Sequence, residues 1–310
     1  MKIGNLNLKN NLVLAPMVGI NDPAFRILCK KYGAGLVCTE MINANAIFKK
    51  NKATIKKLES FKEERPISIQ LFGANIEMMK YAAKIAEKTA DIIDINFGCP
   101  DSKVINQGSG AALLKRPKRI FEIIDGIVKS VKIPVTAKIR LNKDAIKISK
   151  LIEKAGASAI IVHARTPKQG YSGKADWNSI KEIKENVNIP VIGNGDICSG
   201  KDAYDILQLT KCDFIMIGRV AMTNPAIFKE IEYYLKKKEE KKISDREKIE
   251  LFFEYTKIAD KVGYPKFEFV KRHALNFSSG MRNVVSLRRK ISTLKNIEDL
   301  KKEMDSFIKP

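Results

Sequence analysis

Eight short apolar, largely β-branched runs recur between positions 11 and 220, each followed by a helix-like stretch or a loop. They are NLVLAPM (11–17), GLVCTEMI (35–42), PISIQLFG (66–73), DIIDINFG (91–98), PVTAKIRL (134–141), AIIVHART (159–166), PVIGNGDI (190–197) and DFIMIGRV (213–220). Amphipathic helices fit between them, such as DPAFRILCKKYG, NIEMMKYAAKIAEKT and DAIKISKLIEKAG, the last closed by Gly156. Strands alternating with helices require a parallel sheet with crossover connections. Eight units in about 235 residues, without a G-x-G-x-x-G turn after the first, predict an α/β fold closed into a (β/α)8 TIM barrel, in preference to an open doubly wound sheet.

The charge-rich stretch YYLKKKEEKK (233–242) marks a boundary. Beyond it, ISDREKIELFFEYTKIADKVG opens with a capping box, Ser244 with Glu247, and ends at Gly263. KFEFVKRHALNFSSG, SLRRKISTL and NIEDLKKEMDSFI also have helical spacing. The expected organisation is a catalytic barrel over 1–235 and a small all-helical domain over 240–310.

Charge narrows the partners. The net charge is +22, from 57 basic and 35 acidic residues. From Lys236 onward there are 20 basic and 12 acidic residues, so the basic excess per residue is nearly doubled in the tail. Such an excess favours a polyanionic partner, nucleic acid first, over a merely lysine-rich solvated surface. The five cysteines are odd in number and include no C-x-x-C pair, which argues against a disulfide framework or a zinc finger; no metal site is expected. Cys29, Cys38 and Cys212 read as core residues. The opening MKIGNLNLKNNLVLAPM lacks a signal-peptide apolar region, and no stretch approaches the roughly 18 apolar residues of a membrane span. A cytoplasmic protein without membrane contact is expected, its oligomeric state open and a monomer compatible.

Polar residues stand where a barrel interior should be dry: Gln70, Asn96, Lys138 with Arg140, His163 with Arg165, and Asn194 with Asp196. Barrel sites gather at the C-terminal rim of the strands, and five strands each contributing a polar group require a shared ligand. Lys138, flanked by apolar residues, needs a negative partner, from a ligand or a salt bridge. Gly193, Gly195 and Gly218, at the ends of the seventh and eighth runs, suit a backbone phosphate site with Arg219 as charge partner. Flavin mononucleotide (FMN) and a phosphosugar both satisfy this set. Cys99 follows the fourth run in a loop loosened by Gly98 and bent by Pro100, near Asn96, and could act as nucleophile or proton donor. Nothing is spaced as a hydrolase triad, and a thiol with a pKa near about 8.5 stays mostly protonated at neutral pH.

The chain resembles the tRNA-dihydrouridine synthases, flavin-dependent reductases of uridine in tRNA. The carriers are APMVGINDPAFR (15–26), TEMINA (39–44), QLFGAN (70–75), DINFGCPDSKVINQGSGAALLKRP (94–117), KIRL (138–141), HARTPKQGYSGKADW (163–177), IGNGDI (192–197) and IGRVAMTNP (217–225). Val18, Ile20 and Asn21 replace commoner residues, and Ala164 stands where glycine is more usual. The resemblance implies that FMN is tightly bound, with Pro16, Met17 and Val18 against its ring and Gln70 and Lys138 at its polar edge. His163, Asn194, Gly195, Asp196, Gly218 and Arg219 would hold its ribityl chain and phosphate. It implies NADPH or NADH as electron donor, Cys99 as proton donor to the uracil double bond, and Asn96 and Arg165 as substrate contacts. The tail would bind tRNA, with Lys271, Arg272, Arg288 and Arg289 as phosphate-contact candidates. Two rival readings are a dihydroorotate-dehydrogenase-like flavoprotein acting on a free pyrimidine and a catalytically silent RNA-binding barrel. The basic tail and the extended loop from Gln107 to Arg116 speak against the first. The small residues of that loop suggest a cover that opens for an extruded base.

Overall fold

A computed structural model describes residues 1–308. Lys309 and Pro310, where the expected tail domain ends, lie outside the described residues. The eight runs form β1 (Leu12–Leu14), β2 (Val37–Asn43), β3 (Ile67–Phe72), β4 (Ile92–Asn96), β5 (Val135–Arg140), β6 (Ala159–His163), β7 (Val191–Asn194) and β8 (Phe214–Ile217). The sheet order is β1-β8-β7-β6-β5-β4-β3-β2, with all neighbours parallel. A parallel bridge between Val13 and Leu36, with Leu14 N–H donating to Leu36 C=O (2.9 Å), closes the ring. The expected TIM barrel is the observed fold.

Every strand is shorter than its apolar run, and the difference builds the rim. Pro16 cannot donate to a ladder, and Gly195 (φ 143°) and Asp196 (φ 48°) leave extended geometry at once. A two-stranded antiparallel hairpin, Lys2–Ile3 with Leu6–Asn7, was not expected from the sequence. Ile3 and Leu8 close the bottom of the barrel and pack with Val13, Leu36, Ile92, Ile161 and Phe214. The interior is therefore apolar below and polar above.

The principal barrel helices are α1 (Pro23–Lys31), α2 (Ile76–Ala86), α3 (Pro117–Val128), α4 (Ala145–Lys154), α5 (Trp177–Asn186), α6 (Gly200–Thr210) and α7 (Ile227–Lys237). The tail adds α8 (Asp245–Lys261), α9 (Phe267–Phe277), α10 (Val284–Thr293) and α11 (Ile297–Ile308). The expected barrel limit at 235 falls two residues inside α7, which ends where Lys238 turns left-handed (φ 61°). The capping box at Ser244 and Glu247 opens α8. Among the described residues no helix is long and apolar enough to cross a membrane.

The tail shares its core with the barrel. Phe252, Tyr255, Ala274 and Phe277 are fully buried in the same apolar cluster as Phe25 and Leu28 of α1. At the joint, Asp22 caps α1 by accepting from Phe25 N–H (3.0 Å) and also accepts from Tyr255 Oη (3.0 Å) and His273 Nε2 (3.0 Å). All three side chains are buried, and His273 stacks on Phe25 with ring centroids 4.8 Å apart. His273 Nε2 lies between two acceptors, Asp22 Oδ2 and Ile20 C=O, so it carries the proton. Asp22→Ala strands a hydroxyl and a cap amide in an apolar joint and leaves the ring N–H only the longer bond to Ile20 C=O (3.2 Å). Loss of about 3 kcal/mol of unfolding free energy is expected in urea titrations, with a smaller loss in Asp22→Asn.

Candidate active site

A cavity of about 750 Å³ opens at the C-terminal rim of the strands. Size and place suit a cofactor-sized ligand. Of the expected cofactor set, Pro16, Met17, Val18, Gln70, Lys138, His163, Asn194, Gly195, Asp196, Gly218 and Arg219 all line it, together with Asn96 and Cys99.

The floor begins at Asp94, fully buried on β4. Its carboxylate accepts from Gln70 Nε2 (2.6 Å) and Thr136 Oγ1 (2.7 Å), and burial pushes its pKa up. Gln70 Oε1 accepts from Asn96 Nδ2 (2.9 Å), and Asn96 Oδ1 accepts from Gly98 N–H (3.1 Å) and Cys99 N–H (2.9 Å). Asn96, expected as a substrate contact, thus has its oxygen on the turn that carries Cys99 and its amide nitrogen on Gln70 and Met41 Sδ (3.8 Å). Gln70, expected at a cofactor edge, is likewise engaged at both ends, retaining one N–H and one lone pair.

Cys99 is partly exposed to the cavity. Burial, the largest effect, raises its pKa; the backbone N–H of Asp101 lowers it, the Asp101 carboxylate raises it, and Arg140 and Lys138 lower it, leaving a net upward shift. The thiol is therefore protonated at neutral pH. The following segment is not a free cover. It folds into a short helix (Ser102–Ile105) and a 3-10 turn (Gly110–Lys115), Ala111 N–H donates to Cys99 C=O (3.0 Å), and Ser109, Leu113 and Leu114 are buried. Gly110 serves close packing, with Cys99 C=O and Val104 each 2.8 Å from an added Cβ, whereas Gly108 serves a left-handed turn (φ 69°).

The wall opposite is cationic. Lys138 donates to Asn194 Oδ1 (3.3 Å) and pairs with no carboxylate among the described residues. Burial, reinforced by Arg140, brings its pKa down to about 8. Asn194 is itself fixed by donating to Met216 C=O (2.7 Å). His163 is driven to about 2, by burial first and then by Lys138, Arg140, Arg165 and Arg219, so its imidazole is neutral.

Around the seventh and eighth strands the expected phosphate groups divide into two kinds. Arg219 Nη2 donates to Asp196 Oδ1 (2.8 Å), and Arg165 Nη2 donates to Asp196 Oδ2 (2.6 Å). Asp196 is a bracket for two arginines, and its carboxylate cannot face an anion. Arg165, expected at the substrate, is 2% exposed and absent from the cavity wall. Its guanidinium holds the loop after β6 through Ser172 C=O (3.1 Å) and Gly173 C=O (2.6 Å). Gly193 faces outward, where a Cβ would lie 2.6 Å from the Trp177 ring, so it serves packing and not phosphate. Gly195 is held at φ 143°, with Ala175 Cβ 2.9 Å from any added Cβ.

Two further residues belong to the site: Arg140, which the sequence placed at the rim without a role, and Tyr171, which it did not single out. Arg140 lines the cavity and donates to Gly170 C=O (2.7 Å). Tyr171, 63% exposed, stands at the cavity wall with Arg140 5.6 Å and Arg219 5.3 Å from its ring centroid. Arg140 was signalled by sharing a strand face with Lys138 two positions away. Only contacts across a folded loop reveal Tyr171.

The tail candidates also divide. Lys271 Nζ donates to Ser292 C=O (2.8 Å) and Leu294 C=O (3.3 Å), so it closes the end of α10 and its expected phosphate role loses support. Arg272 lines the cavity and donates to Gly19 C=O (2.7 Å). Arg288 and Arg289 are solvent-exposed on α10.

Lys138, Arg140, Arg219 and Arg272 with neutral His163, against Asp101 and an Asp196 already shared by two arginines, give the cavity an excess of positive charge. Behind that wall, the buried Arg165 Nη1 has no hydrogen-bond partner among the described residues. This donor set fits an anionic, polar-edged group such as FMN.

The family model for dihydrouridine synthase (Dus) matches residues 13–309. The chain is 42% identical over 243 residues to tRNA-dihydrouridine synthase B of Pseudomonas putida, covering 76% of this chain and 72% of that protein. It is 38% identical over 320 residues to the probable tRNA-dihydrouridine synthase of Rickettsia conorii, covering 99% and 96%. Among solved structures, morphinone reductase superposes with a TM-score of 0.57 at 13% identity, over 75% of this chain and 88% of that one. A 2-naphthoyl-CoA reductase complex gives 0.62 at 15% identity over 75% of this chain, which spans about half (51%) of the reductase. At such identities these two likenesses show the fold alone.

The protonated state of Cys99 has a direct chemical readout. In a Cys198→Ser background, iodoacetamide labelling of the Cys99 peptide at pH 7, followed by mass spectrometry, is expected to be slow and to accelerate steadily to pH 9 and above. Fast, pH-independent labelling would contradict a thiol held as an acid.

Proposed function

The chain belongs to the dihydrouridine synthase family, and we propose that it is an FMN-dependent tRNA-dihydrouridine synthase that reduces the C5–C6 double bond of uridines in tRNA. The observation that carries this reading is a protonated cysteine, Cys99, fixed at the edge of a cationic, cofactor-sized cavity. Bound in that cavity, FMN supplies the hydride, recharged by NADPH or NADH.

In this reading the chain's own residues do four things. Pro16, Met17 and Val18 form an apolar wall for the flavin ring, while Lys138 and the free N–H of Gln70 meet its polar edge. His163, Asn194, Gly195, Gly218 and Arg219 surround the ribityl-phosphate end, Asp196 acting there by aiming Arg219. Cys99 gives its Sγ proton to one carbon of the uracil double bond, and the thiolate left behind is eased by Arg140 and Lys138, both of which lower its pKa. The thiol is then recharged from solvent. Asn96 fixes the height of Cys99 over the cavity floor, and a uracil would compete with the soft Met41 Sδ (3.8 Å) for its second N–H.

A uracil stacked in folded RNA cannot reach a barrel rim, so it has to be turned out of the stack. That requires grip on the backbone and loop shape of the RNA rather than groove reading. The exposed Arg288 and Arg289 and the +22 net charge fit such a polyanion. Measurement of dihydrouridine by mass spectrometry, after incubating the flavin-loaded protein and NADPH with unmodified tRNA, tests the proposal. Product on free uracil or orotate, with none on tRNA, points instead to a free-pyrimidine reductase. A protein that takes up no flavin yet binds RNA is the silent barrel.

Cys99→Ala is expected to keep flavin and tRNA binding while turnover falls about 10²–10⁴-fold, the range of a positioned general acid. Undiminished dihydrouridine formation would sink the proton-donor role. For Lys138→Met, FMN affinity is expected to fall about tenfold. In the wild type the ammonium is the binding form, so FMN affinity is highest below pH 8 and declines as pH rises past about 8. Lys138→Met should flatten that decline in fluorescence titrations.

A further inference from the structure

The β1–α1 loop carries Met17 and Val18 to the cavity; its base is pinned where Asn21 Nδ2 donates to Ala15 C=O (2.7 Å) and Cys38 C=O (2.8 Å), but its tip is more open. Val18 is 61% exposed, and the turn over 17–21 is closed by two long bonds to Met17 C=O, from Ile20 N–H and Asn21 N–H (3.2 Å each). An apolar wall of this kind is only as well placed as its backbone. That backbone is gripped at Gly19 from two sides. Gly19 N–H donates to Glu40 Oε1 from β2, and Gly19 C=O accepts from Arg272 Nη1 (2.7 Å) of α9, in the tail. Glu40 is 8% exposed and is held in turn by Lys57 (3.2 Å). Gly19 has φ 74°, and a Cβ there would lie 1.7 Å from Arg272 Nη1, so the guanidinium occupies the space a side chain would take. Arg272 also lines the cavity itself. The neighbouring His273 anchors α9 through Asp22 and Ile20 C=O, which fixes the point from which Arg272 reaches.

We infer that Arg272 and Glu40 form a clamp on the Gly19 peptide that positions the Met17–Val18 wall against the bound cofactor, so that the tail completes the cofactor site as well as serving the RNA. Resting on the flavin reading above, this makes Arg272 a positioning residue for the cofactor half of the reaction, in which RNA takes no part. A residue whose business is only with an RNA phosphate would weaken RNA binding uniformly, lower its salt dependence by about one phosphate contact, and leave the flavin untouched.

The separating experiment uses the full-length, FMN-loaded protein without RNA. Three quantities are read for wild type, Arg272→Ala, Arg272→Lys and Glu40→Ala: the FMN Kd by fluorescence, the visible circular dichroism of bound flavin, and its reduction rate by NADPH in stopped flow. Arg272→Ala and Glu40→Ala are each expected to weaken FMN about tenfold, the loss of one charge-assisted hydrogen bond, and to change the dichroism and slow reduction in the same direction. Arg272→Lys, which keeps a donor for Gly19 C=O, is expected to restore most of all three. Wild-type values in Arg272→Ala on every flavin readout, with only tRNA affinity reduced, overturn the clamp and leave an RNA contact. Should Arg272→Ala not fold, wild-type flavin readouts in Glu40→Ala overturn it equally. A wild-type protein that takes up no FMN overturns the flavin reading itself, a result distinct from the others and seen before any variant is made.

Discussion

A carboxylate buried inside the barrel sets the height of the reactive loop. Asp94 has no exposure to water and no cationic partner in contact; it is held by donors from Gln70 and Thr136 on the two flanking strands. A buried carboxyl tolerates that position only when its hydrogen bonds are made. Making them orients Gln70, whose oxygen then takes Asn96, whose oxygen takes the amides of Gly98 and Cys99. From Asp94 to Cys99 there is an unbroken run of bonds across β3 and β4. The thiol is thus placed by side chains below it rather than by the loop that contains it.

Above this floor the governing fact is an excess of positive charge. Lys138, Arg140, Arg165 and Arg219 converge on one rim, and Asp196 is the carboxylate bonded among them, bracketing two of the four. Their mutual field and their burial pull Lys138 down to about 8 and keep His163 neutral. Without an anion such a rim is costly, and with one it becomes favourable. The same field reaches Cys99 only weakly, because burial outweighs it, and so the site keeps an acid beside a cationic wall.

The tail is joined to this arrangement through the loop after β1. Asp22 ends the loop, caps α1 and receives Tyr255 and His273 in one buried joint, while Arg272 reaches back to Gly19. A division of labour into a catalytic barrel and a separate RNA-binding appendage does not describe this contact. The two parts share one apolar core, and a residue of the tail stands in the wall of the cavity.

The sequence by itself determined the barrel, because eight apolar runs with crossover helices have few ways to bury both faces. It also determined where the site lies, because Gln70, Asn96, Lys138, His163 and Asn194 are polar at positions that must point inward near the strand ends. Periodicity settles which way a side chain faces, and both conclusions needed only that. What a side chain does once it faces inward depends on its neighbours, and only the tertiary structure decided it. Arg165 proved to be a loop brace, Asn96 a turn former, Lys271 a helix cap and Gly193 a seat for Trp177. Tyr171 joined the rim through a loop fold that no spacing encodes, and the hairpin under the barrel was too short to leave a pattern. Each of these depends on contacts between segments distant in the chain, where the partner's position is set by packing and not by local propensity.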